Sequence, residues 1–252
     1  MVPAEAVTPL RPQAFRCAQA AWLAYLDAAT LAEECARAGF TLRDALTRGS
    51  HAAIVLDCDD TRIVAFRGTD QAADWWTNFN LLFRRTAWGI AHRGFCDATG
   101  LFWPEVDRYV QSARDEGRRV WLSGHSLGGA MATVAAARLL AVNEQSIDLL
   151  CTFGQPPVGG GKFRRNCDRV LGQRYVRIVN HTDSIVDKGL FSHAGRLWYF
   201  DTGGRLHFDT RPFVQGIRDQ WRANEMLGGL YMFGAHGMQR YLPLLESDEP
   251  EV

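Results

Sequence analysis

Residues 120–140 read Val-Trp-Leu-Ser-Gly-His-Ser-Leu-Gly-Gly-Ala-Met-Ala-Thr-Val-Ala-Ala-Ala-Arg-Leu-Leu. Val120, Trp121 and Leu122 suit a buried strand, and Leu127 to Leu140 suit a helix whose small residues let it pack closely on a sheet. Between them Ser126 stands at the centre of Gly-x-Ser-x-Gly, with Gly124 and Gly128 keeping the turn free of side chains. A serine on such a strand-to-helix turn is a nucleophile elbow: its hydroxyl is presented at the sheet edge and its backbone is strained. In a chain with 24 glycines the five-residue motif alone would carry little weight, and the flanking strand and helix make it specific.

Working outward, Phe15 to Leu26 and Thr30 to Ala38 read as helices, and Ala52 to Leu56 and Arg62 to Phe66 as strands around Asp57-Cys58-Asp59-Asp60. That acidic cluster reads as a solvated hairpin turn and not a calcium loop, because no EF-hand spacing follows. A long helix from about Asp97 to Glu116 precedes the elbow, and strands at Leu149 to Phe153 and Tyr175 to Val179 follow it. Alternating strands and helices predict an α/β fold with a mostly parallel central sheet and flanking helices. Arg196 to Phe200 and Arg205 to Asp209 form a late hairpin, and Met238 to Leu245 a terminal helix.

The 252 residues, 47% of them hydrophobic, are enough for one domain with one core spanning 1–252. Lys plus Arg and Asp plus Glu balance at 28 each, so no net field favours nucleic acid or an anionic membrane. The opening MVPAEAVTPLRPQAF has no basic segment leading into an apolar one, and no stretch has the length of a membrane span. A soluble, cytoplasmic chain is expected, with export by a non-classical route left open. Six cysteines without CxxC or metal-ligand spacing read as reduced, mostly buried thiols, with a disulfide between some pair as the alternative.

A serine nucleophile needs a base, a carboxylate to orient the base, and donors for the oxyanion. In α/β-hydrolases these follow the order Ser, Asp or Glu, His, which places the partners downstream. Asp183 follows a strand within the short loop Asn180-His181-Thr182-Asp183 and is preferred over Asp168, Asp187, Asp201 and Asp209. Among His193, His207 and His236, the last is preferred because it sits in a late glycine-bounded loop able to reach the sheet edge; His193 is the competitor.

Together with GHSLGG, the segments Ile63-Val-Ala-Phe-Arg-Gly-Thr69, Asp74-Trp75-Trp76, Ala91-His-Arg-Gly-Phe95, Thr152-Phe-Gly-Gln-Pro156, Asn180-His-Thr-Asp-Ser-Ile-Val186 and His236 to Tyr241 resemble the class 3 lipases. The likeness, from about Leu23 to Tyr241, is to the fungal triacylglycerol lipase type of α/β-hydrolase, with a bacterial-type member expected. It implies a triad of Ser126, Asp183 and His236, and an oxyanion hole made by Thr69 and the Leu127 N–H. It also makes His92 structural. The sequence departs from the family at Ala235, often Asp, and after Val186, where the usual proline pair is missing.

At 100° per residue, Trp75, Trp76, Phe79, Leu82 and Phe83 share one face of a helix over Asp74 to Arg85. The resemblance makes residues 70–90 a helical lid candidate, its apolar face suited to a water-lipid boundary. The expectation is a serine carboxylic-ester hydrolase of lipase type, acting on lipid or small esters without metal or organic cofactor. A short-chain esterase or phospholipase A1 would use the same triad, and a non-catalytic lipase-like interaction protein is the rival from another class.

Overall fold

The computed structural model describes residues 10–69, 82–143, 146–181, 191–209 and 236–246. Helices α1 (Arg11–Leu23) and α2 (Ala28–Arg37) lead into β1 (Thr41–Arg48), β2 (His51–Cys58) and β3 (Thr61–Phe66). A small ribbon, β4 (Phe83–Thr86) and β5 (Gly89–His92), is followed by α3 (Arg93–Gly100), α4 (Trp103–Asp115), β6 (Arg119–His125) and α5 (Leu127–Leu140). Then come β7 (Leu149–Phe153), α6 (Gly161–Leu171), β8 (Tyr175–Asn180), β9 (Arg196–Phe200), β10 (Leu206–Phe208) and α7 (Tyr241–Glu246).

Eight strands form one sheet in the order β1-β2-β3-β6-β7-β8-β9-β10. The run from β3 to β9 is parallel, and the hairpin strands at either end are antiparallel. Strands β3, β7 and β8 are buried along their whole length, as continuous apolar runs require when both faces are covered. Alternate residues serve opposite cores: Val64, Phe66 and Leu122 join α3 to α6, while Ile63, Ala65 and Trp121 join α1, α2 and α7. Helix α5 is buried almost all round because its alanines and glycines bring it close to the sheet.

Several expected elements need correction. The long helix from Asp97 to Glu116 is two helices, α3 starting earlier at Arg93 and α4 beginning anew after Phe102. Pro104 accounts for the break, since it fits the first turn of α4, where no amide partner is needed, but would disrupt a helix interior. Leu82 to Arg85 are not helical; Phe83 to Thr86 pair as a strand with Gly89 to His92. Local turn chemistry overrides the helical period there: Thr86 Oγ1 donates to the Gly89 carbonyl, Trp88 N–H donates to Thr86 Oγ1, and Gly89 takes φ 126°. The rest of the expected lid helix, with Trp75, Trp76 and Phe79, lies outside the described residues. Strand β1 had no apolar alternation to announce it, because it is an edge strand, mostly exposed and broken in register between Leu42 and Asp44. All six cysteines are free thiols.

Candidate active site

The parallel register sets the site. Phe66 lies beside Gly124, and His125 beside Phe153, so the ends of β3, β6 and β7 meet at one carboxyl edge with β8 next to them. Ser126, immediately past β6, has φ 54° and ψ −123°, a backbone state that L-residues adopt only under constraint. Its N–H donates to the Phe153 carbonyl at 2.9 Å, and its carbonyl accepts from Ala130 at 3.2 Å. The glycines explain how such a turn packs. A Cβ on Gly128 would lie 2.1 Å from the Phe66 carbonyl oxygen, and one on Gly124 2.3 Å from the Gly128 oxygen. Gly68 also approaches the elbow, its hypothetical Cβ falling 2.7 Å from the His125 carbonyl oxygen and 3.2 Å from Ser126 Cβ.

His236 comes to the same place from the far end of the chain. The His125 and His236 rings lie 4.5 Å apart, and His125 Nε2 is 2.5 Å from the His236 carbonyl oxygen. A carbonyl can only accept, so Nε2 carries the proton, leaving Nδ1 to accept from the Tyr25 hydroxyl at 2.7 Å. One imidazole thus links the end of α1, the elbow and the segment bearing His236. Tyr241, one turn further on, packs against Phe153, and its hydroxyl accepts from Asn180 N–H at 3.4 Å.

Beneath the elbow, a second polar group ties α5 to β8. Tyr175 donates to Gln155 Oε1 at 2.7 Å and lies 2.8 Å from Thr133 Oγ1. Burial pushes the Tyr175 phenol well above its ordinary pKa, which keeps it protonated. The sequence reading missed both the Tyr25–His125 link and this network. Their only signals were the identity of the residue before the nucleophile and Gln155 within its glycine-proline turn.

Ser126 and His236 are therefore brought to one edge, 1% and 5% exposed. Leu127 opens α5, and half-buried Thr69 follows Gly68 on the neighbouring loop. Asp183 and Asp187 lie outside the described residues. The other carboxylates are engaged elsewhere. Asp168 accepts from Gly195 N–H, Asp209 pairs with Arg196, and Asp201 accepts from two backbone amides of its own turn and from His207 at 3.0 Å. His207 is thereby a hairpin residue, while His193 lies in the connection before β9. His92 is buried against Phe95, 4.5 Å between rings, at the start of α3. Asp57 of the acidic cluster is no open cation site, since Arg62 and Arg43 both hold it at 2.7 Å.

Comparison with known proteins bears on the family and the fold. The phospholipase A1-II 2 of Oryza sativa subsp. indica is 26% identical over 224 residues, covering 73% of this chain and 54% of the relative. The secreted mono- and diacylglycerol lipase 1 of Fusarium solani is 34% identical over 136 residues, covering 50% of this chain and 38% of the relative. The chain thus spans about a third to a half of the length of the curated relatives it matches. In structure it is similar to the Rhizomucor miehei lipase in its propeptide complex, with a TM-score of 0.65 at 21% identity, over 82% of this chain and 72% of that one. The fold is accordingly the α/β-hydrolase type expected. These relatives are plant and fungal, so the expected bacterial-type affiliation is not borne out. A family model described as Lipase (class 3) matches residues 63–188, half of the sequence, and the chain belongs to the class 3 lipase family.

Proposed function

We propose that this chain is a serine carboxylic-ester hydrolase that cleaves acylglycerols or related lipid esters through an acyl-enzyme on Ser126. The observation that carries the reading is the strained Ser126 backbone at the carboxyl edge, with the His236 segment hydrogen-bonded to the residue before it. His236 takes the Ser126 proton as the oxygen attacks the ester carbonyl, and Asp183 orients the imidazole and stabilises its cation. The Leu127 N–H and the Thr69 N–H and hydroxyl stabilise the oxyanion. Protonated His236 then gives its proton to the leaving alcohol, and water hydrolyses the acyl-enzyme by the same route.

Both reacting side chains are buried, so an ester reaches them only when covering groups move. We assign that movement to residues 70–90, with Leu82 and Phe83, 52% and 54% exposed, as the apolar margin that meets a lipid surface. A phospholipase A1 specificity is the second reading, supported by the names of the rice relatives.

The test is hydrolysis of p-nitrophenyl esters from acetyl to palmitoyl, below and above the aggregation point, with Ser126→Ala as blank. A long-chain preference with a rate increase on aggregation supports the lidded lipase, and a short-chain preference without one supports an esterase. Absence of Ser126-dependent turnover and of fluorophosphonate labelling would favour the non-catalytic interaction protein. Asp183→Asn should cut turnover about 10⁴-fold while the fold persists; near-wild-type turnover would show another carboxylate orients the base.

A further inference from the structure

Away from the elbow, the ribbon β4–β5 roofs a cavity of about 170 Å³ against α3, α5 and α6. Its walls are mainly apolar, with Trp88 above and Val134, Ala137 and Phe163 below. Val134 and Arg138 stand eight and twelve residues beyond Ser126 on α5, about 12 and 18 Å along the helix axis at 1.5 Å per residue. The cavity is therefore separate from the reacting serine.

The residues lining it include two arginines, Arg84 and Arg138, and no Asp or Glu. Arg84 shares Asp97 with Arg93 at the surface. Arg138 stacks on the Trp103 ring at 3.8 Å and feels the charge of Asp107, with no salt bridge to a carboxylate among the described residues. An apolar pocket with a cationic rim selects an amphiphile with an anionic head: the tail leaves water, and the head finds donors in a fixed fork.

We propose that this cavity is a binding site for a short or medium-chain carboxylate, its alkyl tail beneath Trp88 and its head on Arg138 and Arg84. The size fits. An apolar cavity of about 150 Å³ accepts benzene, so this one takes roughly six carbons and leaves the carboxylate at the rim. On the reading proposed above, such a carboxylate is what ester cleavage releases. A product bound here would sit under the ribbon that directly continues residues 70–81.

The experiment is calorimetric titration of sodium octanoate into the Ser126→Ala chain, with 1-octanol as the uncharged probe. No turnover is needed, so its failure leaves the ester-hydrolase reading intact, and failure of that reading leaves the binding measurable. Octanoate should bind, and 1-octanol about tenfold more weakly, because it lacks the charge-assisted contact. Arg138→Gln should weaken octanoate about tenfold and leave 1-octanol unchanged, and Arg138→Lys should restore part of the loss. Ala141→Phe, an exposed substitution at the mouth, should block both probes. Octanoate binding that is absent, or indifferent to Arg138→Gln and Ala141→Phe, would overturn the proposal. Should either variant fail to fold, a carboxylate ¹³C resonance of labelled octanoate that titrates as in free solution would overturn it as well.

Discussion

At Ser126 the strain is tolerable only because Gly124 and Gly128, two positions to either side, have no side chains. Gly128→Ala would drive a methyl group into the Phe66 carbonyl oxygen, and either β3 or α5 must move. We expect it to cost about 1–3 kcal/mol or more, read by urea unfolding, with turnover falling further than stability because the elbow itself shifts. Tyr25→Phe probes the other half of the site. It leaves His125 Nδ1 without its donor while preserving the ring, so kcat should drop about tenfold for the loss of one hydrogen bond. Little change in Tm or KM is expected. An unchanged kcat would show that the Tyr25–His125–His236 link does not position the base. The elbow was readable because its requirements are local, two glycines and a strand-to-helix change within seven residues. The Tyr25–His125 contact was not, because it joins residues 100 apart through the packing of α1 on the sheet.

The hairpin β2–β3 carries a buried ion-pair network. Arg62, its side chain 2% exposed, is held by Asp57 at 2.7 and 3.0 Å, by Glu116 at 3.1 Å and by Ser112. Desolvation pushes the Asp57 carboxyl upward, but the hydrogen bonds and charges of Arg62 and Arg43 outweigh it and hold its pKa below the usual range. Because the folded pKa lies below the unfolded value of about 3.9, this stabilisation is complete above about pH 5. It is lost as pH falls through the folded pKa. Asp57→Asn should cost about 3–5 kcal/mol near neutrality, since a buried guanidinium loses its main counter-charge. The variant should also show a shallower decline in Tm between about pH 5 and 3 than the wild type. An equally steep decline would place the acid sensitivity elsewhere. The sequence reading found this hairpin from its two apolar runs but took Asp57 for a solvated turn residue. A register that sets Asp57 opposite Arg62 was needed to see otherwise. At the β4–β5 ribbon the opposite happened: a helical period running through Leu82 and Phe83, broken only at Leu81, lost to a tight turn three residues later.

Across the molecule, one sheet with a core on each face joins every described strand except the β4–β5 ribbon. Thermal unfolding followed by tryptophan fluorescence and by far-UV circular dichroism should therefore coincide in one transition. Separate midpoints would mean that the two cores melt independently. The parallel centre was legible because fully buried strands and the alanine-rich α5 announce themselves by composition. The edges were not, since β1 is held by pairing more than by its own pattern.

The link through His125 also joins the two ends of the described chain, with Arg11 donating to the Leu244 carbonyl and α7 packed on α1. A ribosome makes His236 more than 200 residues after Tyr25. Until the segment bearing His236 and α7 emerges, α1 lacks part of the surface that covers it, and the proposed base has not been synthesised. A nascent chain of this protein therefore cannot close that link, or use the proposed base, before the segment bearing His236 has been made.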